Sequence, residues 1–219
     1  ATDGQTVDNW EDQSTHDFDA DDSGGTGPVW DADGCNYNPV LDFTGGVTGT
    51  PLDIPAGIME GTTKTALYTY VVSATDLTQT QALYFQQTNS NSIERHIALR
   101  THTSDANTYF DHGFSTLRIT KTSGITLGQY HLFSVKSDGA DMQVWRDGNS
   151  LGTDTDNGSA VEVVNYPFYI GTQYNNALTF FDGKIAELII LDHIPTTQET
   201  DQIESYLVMK YGITMAGTT

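Results

Sequence analysis

At 219 residues the chain has room for one large all-β domain, and a domain of that size buries roughly 70% of its unfolded surface, enough to stand without disulfide staples. Its 29 acidic residues against 9 basic ones give a formal net charge of −20, which repels phosphate backbones and anionic membranes, so nucleic acid is not expected as a partner. No stretch approaches the roughly 20 apolar residues of a membrane span, so no membrane insertion is expected, and the lone Cys35 reads as a small buried hydrophobe without a bridge to make.

Residues 2–7 read as a loop entering a strand, with Ala1 as the start of a mature chain or of a piece cut from a longer one. Residues 11–38 then break any tidy patterning. Asp12, Asp17, Asp19, Asp21, Asp22, Asp31 and Asp33 crowd a stretch with little apolar content, predicting a long ordered loop over one end of the domain. Like charges at that density need a cation, solvent or a partner to settle them.

Beyond it, short runs of β-branched and aromatic residues recur between Gly, Asn and Asp. They predict strands at 40–44, 66–73, 82–87, 93–101, 108–111, 115–120, 130–137, 141–147, 161–164, 167–172, 178–181 and 184–191. The clearest hairpin joins Tyr130–Lys136 to Met142–Arg146, and Asp147-Gly148-Asn149 turns the chain back again; Asp-Gly supplies the positive φ of a tight turn. Helical periodicity appears only at the end. Thr196-x-x-Glu199 is a capping box, Ile203, Tyr206, Leu207 and Tyr211 form one stripe, and Gly212 suits the position just past the helix. One domain, 1–219, accounts for the whole chain.

Three acidic turns could hold a hard cation, which wants six to eight oxygens from carboxylates and carbonyls. Asp17-x-Asp19-x-Asp21 alternates carboxylates but has Asp22 where an EF-type loop needs glycine. Asp31-x-Asp33-Gly34 and Asp154-x-Asp156-Asn157-Gly158 are the others. For each the competing reading is a solvated turn; calcium in at least one is the expectation. On the strand at 93–101, His96, Arg100 and His102 share a polar face opposite Ile97 and Leu99. That face either holds a ligand or simply meets water. Trp145, Phe133, Tyr68 and Phe43 read as core, whereas Trp30 and Tyr174, each flanked by polar loop residues, read as exposed platforms for sugar rings.

Three blocks, in order, carry a family resemblance. The first is Val7-x-x-Trp10-x-Asp12-Gln13-Ser14 with Asn36-Tyr37-Asn38-Pro39-Val40-Leu41-x-Phe43. The second is Gly128-Gln129-Tyr130-His131-Leu132 through Trp145-x-Asp147-Gly148. The third runs from Phe181-Asp182-Gly183-Lys184 to Tyr211-Gly212-Ile213-Thr214. Together they resemble the LamG-like (concanavalin A-like) domains of secreted bacterial proteins. The resemblance implies an all-β fold, a two-sheet antiparallel jelly-roll sandwich with one short C-terminal α-helix laid against its edge. It further implies an extracellular or cell-surface setting, calcium, a glycan or surface protein as partner, and neighbouring domains in a longer chain. The family usually carries a strand before the first block, which leaves open what completes the sheet at the N-terminal edge.

Glu199-x-Asp201-x-x-Glu204 copies the carboxylate spacing of laminarinase-type glycosidases in the same superfamily. There the residues lie on a strand and face one cleft; after a helix cap they point different ways, so no catalytic pair is expected. No Gly-x-Ser-x-Gly elbow, His-Glu-x-x-His pair or phosphate loop is present either. The leading expectation is a non-catalytic, calcium-dependent glycan-binding module of an adhesin or surface protein. A structural or protein–protein interaction module, with a free sheet edge pairing to another chain, is the alternative, and a glycoside-active enzyme trails.

Overall fold

Alternating side chains turn short runs into strands that send every second residue to a shared core. The computed structural model describes residues 1–22, 26–43, 51–55, 67–75, 84–87, 95–112, 118–138, 141–155, 168–172 and 180–216. Within them the strands run β1 (Asn9–Trp10), β2 (Ala20–Asp21), β3 (Val29–Cys35), β4 (Asn38–Phe43), β5 (Leu52–Ile54), β6 (Leu67–Thr75), β7 (Tyr84–Gln87) and β8 (Arg95–Arg100). They continue with β9 (Asn107–His112), β10 (Arg118–Thr122), β11 (Tyr130–Ser137), β12 (Asp141–Arg146), β13 (Asn149–Thr155), β14 (Phe168–Ile170) and β15 (Gly183–Leu191), and helix α1 (Thr197–Tyr211) follows.

Two antiparallel sheets face each other, in the orders β1-β2-β5-β14-β7-β8-β9-β10 and β13-β12-β11-β6-β15-β4-β3. Leu41, Phe43, Val71, Phe133, Val135 and Val144 of the seven-stranded sheet meet Leu52, Ile54, Leu99, Phe110, Ile119, Phe168 and Ile170 of the eight-stranded one. The sandwich expected from the strand pattern is therefore present.

The helix sits differently from expectation. It lies across the outer face of the seven-stranded sheet, not at an edge. Strand β6 explains why: Tyr68, Tyr70 and Val72 point away from the inter-sheet core and need a cover of their own. Leu207 and Tyr211 of α1 supply it, joined by Val40, Leu132 and Trp145. Trp145, expected as core, packs half-buried on this outer cluster and stacks on Tyr68, with ring centroids 5.8 Å apart. The capping box forms as predicted, with Glu199 N donating to Thr196 Oγ1 and Thr196 N to the Glu199 carboxylate. Gly212 ends the helix at φ 65°. Tyr206 leaves the predicted stripe for the surface, where its hydroxyl reaches Glu187.

The Phe-Asp-Gly entry to β15 has a steric cause. At Gly183 (φ 146°) a Cβ would lie 2.1 Å from Ala74 O, so only glycine lets β15 run this close to β6. Phe181, just before it, is core and meets Phe43 edge-on.

The N-terminal edge is closed by the chain itself. Gly4 N donates to Trp30 O, Trp30 N to Gln5 O and Val7 N to Pro28 O, each at 2.8 Å, which lays residues 4–7 beside β3. The chain then crosses into the other sheet as β1, the corner device of packed sheets.

The acidic stretch is less loop-like than predicted, since β2 and all of β3 fall inside 11–38. Aspartates masked the alternation there: Trp30 points inward and packs, half-buried, against the core, so it does not stand clear as a platform. The predicted strand at 161–164 and the first half of that at 178–181 lie outside the described residues, as do Tyr174 and Asp156.

Candidate ligand-binding face

The eight-stranded sheet has a polar outer face built by the same alternation that fills the core. Because Ala20, Leu52, Ile54, Phe168, Ile170, Leu99, Phe110 and Ile119 point inward, their neighbours must point out. Strand register lines up one cross-strand row of positions, Asn9, Asp21, Asp53, Tyr169, residue 85, Ala98, Asp111 and Arg118, of which Ala98 and Asp111 are fully buried. At about 4.8 Å per strand it spans roughly 34 Å. The row has the carboxylates of Asp21 and Asp53 at one end, half-buried Tyr169 in the middle, and the Asp111 carboxylate with the Arg118 guanidinium at the other end.

At the basic end Asp111 is fully buried between two arginines. Arg118 donates through Nε and Nη2, the latter at 2.8 Å, and Arg100 Nη1 lies 3.3 Å from the same carboxylate. The hydrogen bonds from Arg118 to Asp111 hold its pKa above the ordinary value against the opposing effect of burial. Its guanidinium also lies over the Tyr109 ring, 5.0 Å from the centroid. The Tyr109 hydroxyl donates to Asp105, whose carboxyl also takes Thr103 and Asn107 and is held well below the usual range by those bonds.

Arg100 and His102, predicted on a solvent-facing strand surface, are buried at 3% and 7% exposure. Asp111 accounts for the first. His102 Nδ1 is 2.6 Å from Ser123 Oγ, whose own proton goes to Ala106 O at 3.1 Å. The histidine is thus the donor, and Ser123 is not an activated nucleophile. Burial lowers the His102 pKa, in keeping with a neutral ring. His96 has its place on β8; its side chain lies outside the description.

The predicted calcium ligands fall in three separate places. Asp17 is exposed in the left-handed region (φ 61°). Asp19 accepts Asp12 N at 2.8 Å, and the side-chain amide of Asn9 lies between Asp19 (3.4 Å) and Asp21 (2.7 Å). Asp31, on β3, takes Lys184 Nζ at 2.7 Å, and Asp33 beside it is exposed. Asp154 lies on β13 opposite Met142. Among the described residues, no three His, Cys, Asp or Glu side chains gather as a metal cluster.

Asp12, absent from the predicted ligands, turns out to organise the first loop. Its carboxylate accepts Ser14 N, Ser14 Oγ and Phe18 N. Burial would raise its pKa, and these bonds outweigh that and lower it. The Asp-x-Ser spacing was the available signal, since an Asp accepting the N–H two residues on is a local turn. Tyr169 and Asp53 were also missed as a pair, because only sheet register brings residues so far apart in sequence side by side.

The carboxylates of α1 form no pair. Glu199 is engaged in the cap, and its bonds to Thr196 lower its pKa. Glu204 sits half-buried beneath the helix, raised by burial and then by Asp201.

The family described as the concanavalin A-like lectin/glucanases superfamily matches residues 48–200. Among similar solved structures is domain 4 of AbnA, a GH43 extracellular arabinanase from Geobacillus stearothermophilus, in complex with arabinotriose. It is 18% identical over 83% of this chain and 82% of that one, with a TM-score of 0.64. The Ruminococcus gnavus IT-sialidase CBM40 bound to α2,3-sialyllactose is 10% identical over 75% of this chain and 96% of that one, at 0.56. A native heptameric SAP-like pentraxin from Limulus polyphemus is 17% identical over 64% and 70%, at 0.52. At these identities the likeness shows the fold alone. No match is found among curated protein sequences.

Proposed function

This chain belongs to the concanavalin A-like lectin/glucanase superfamily, and on that footing we propose that it is a non-catalytic, extracellular glycan-binding module. Its ligand lies on the outer face of the eight-stranded sheet. The observation that carries this reading is the pairing of half-buried Tyr169 with Asp53 and Asp21 along one cross-strand row. A sugar ring can lay its C–H face on the tyrosine while the carboxylates accept its hydroxyl protons. The arabinotriose and sialyllactose held by two structurally similar domains support the class of ligand.

The non-catalytic part rests on the carboxylates. Cleavage needs one acid and one base or nucleophile on opposite sides of the scissile bond. Asp21 and Asp53 are strand neighbours at one end of the row, with Asn9 donating to Asp21, while Asp111 is held by two arginines. Protein–protein pairing at the N-terminal edge is disfavoured, because residues 4–7 already occupy it. No helix among the described residues is long and apolar enough to cross a membrane. Calcium enters the proposal at residues 17–21, where Asp19 and Asp21 already converge on one polarised N–H group. An adhesin setting within a longer surface protein completes it.

A glycan array run with calcium and with chelator tests this directly. Hits that disappear in Tyr169→Ala support the sheet-face site. An array blank in both conditions would sink the glycan reading, and release of reducing ends from a bound glycan would contradict the non-catalytic one. Melting with and without chelator checks calcium; an unchanged midpoint removes it from the account.

A further inference from the structure

The turn between β3 and β4 carries a tyrosine where the backbone favours glycine. Asn36 (φ 47°) and Tyr37 (φ 60°) are both left-handed, as a tight primed turn requires. Asparagine suits the first position, but a bulky residue at the second is an outlier that something must offset. Packing does not offset it, since Tyr37 is 89% exposed.

The turn is nevertheless held firmly. Asn36 Nδ2 and Asn38 Nδ2 both donate to Lys210 O, at 3.0 and 2.6 Å, and Asn38 Nδ2 also reaches Asn36 O. Lys210 lies in the last turn of α1, so the hairpin tip is clamped to the helix end. An aromatic ring is thereby displayed to solvent on a backbone with little freedom left to lose.

A cavity of about 500 Å³ opens on the Asn36 side of the turn, lined by Gly34 to Asn36, Gln129, His131, Asp147 and Thr214 among others. That volume falls in the range of small-ligand sites. Its walls are polar yet balanced in charge. Asp147 accepts His131 Nδ1 at 2.6 Å and Leu132 N at 2.9 Å, and Arg146 Nε is 3.5 Å away. Thr126 N lies 3.3 Å from His131 Nε2. Cys35 is buried, and burial pushes its thiol up to about 11. Gln129 and Thr214 are exposed and can give and take hydrogen bonds.

We propose that the Tyr37 turn and this cavity form a second binding site, separate from the sheet face, for a neutral saccharide residue. The ring stacks on Tyr37, and its hydroxyls meet Asn36 Oδ1, Gln129 and Thr214. An acidic sugar is disfavoured because, among the described residues, no lysine or arginine lines the cavity, and the protein carries −20.

The test is an amide-shift titration of the intact protein with neutral gluco-, galacto-, manno- and arabino-oligosaccharides, with a galacturonic acid oligomer for contrast. The expected result is saturable shifts at Asn36, Tyr37 and Gln129 with a neutral sugar, weakened about tenfold or more in Tyr37→Gly. Glycine fits the turn, so that variant should melt no lower than the parent, which separates lost binding from lost folding. Shifts confined to Asp53 and Tyr169 overturn this second site while leaving the sheet-face reading intact. Shifts at the hairpin that survive in Tyr37→Gly, or a response only to the acidic oligomer, overturn it as well. No shift anywhere overturns both.

Discussion

The two outer faces of the sandwich begin from the same rule and end in opposite states. On the seven-stranded sheet the outward residues of β6 are Tyr68, Tyr70 and Val72, and α1 has folded down over them. On the eight-stranded sheet the outward residues are Asp21, Asp53, Tyr169, Asp111 and Arg118. One face is finished by packing. The other offers hydrogen bonds and aromatic surface with which to select a ligand. The difference lies in which side chains occupy the alternate positions, not in how the strands are arranged.

The largest effect is expected on the open face, where charges are buried. Asp111→Ala leaves Arg100, 3% exposed, and Arg118 facing each other without their shared carboxylate. A loss of about 3–5 kcal/mol by denaturant unfolding is expected. A loss under about 1 kcal/mol would show that solvent screens the cluster and that the face is wetter than described.

The covered face comes next. Leu207→Ala removes a fully buried side chain between α1 and the sheet, and should cost about 2–5 kcal/mol in the same measurement. Sugar binding at the open face should survive it. Coupled loss of both would mean the faces are not independent.

Smaller, and of opposite sign, is Glu204→Gln. Burial raises Glu204 above its ordinary 4.5, with Asp201 adding to it. The folded state therefore holds that proton more tightly than the unfolded chain. The favourable contribution is complete below the unfolded value and is lost as pH rises through the folded one. At pH 7 the charged carboxylate is a burden, so Glu204→Gln should melt higher than the parent, and the two should converge towards about pH 4. A gain that persists undiminished in acid would put its cause outside this titration.

Much of the covered face was legible in the sequence. Thr196 and Glu199 announced the cap, Gly212 the stop, and Ile203, Leu207 and Tyr211 the buried stripe, because helix signals are local. What was not legible was the target of that stripe, since only packing shows that Tyr68, Tyr70 and Val72 of β6 lie beneath it. The open face was harder still. Asp53 and Tyr169 are neighbours through register alone, and Asp111 lay unmarked inside a predicted strand. Strand alternation puts Arg100 and His102 on a candidate ligand face meeting solvent, but it carries no information about the Asp111 and Ser123 side chains that bury them. Trp30 misled because aspartates on its own strand resembled a loop. The Asn36-Tyr37 turn belongs to a family motif in the sequence, and its strain appears only in the dihedral angles.

The central claim is that Tyr169 on the open face binds glycan and the outer surface of α1 does not. Calorimetric titration of an array-identified glycan into the parent, Tyr169→Ala and Met209→Ser tests it most directly, because Met209 is an exposed helix residue on the covered side, 80% accessible. The account predicts binding in the parent, unchanged affinity in Met209→Ser, and a loss of about tenfold or more in Tyr169→Ala with little change in melting temperature. Equal affinity in the parent and Tyr169→Ala, or weakening only in Met209→Ser, would contradict it.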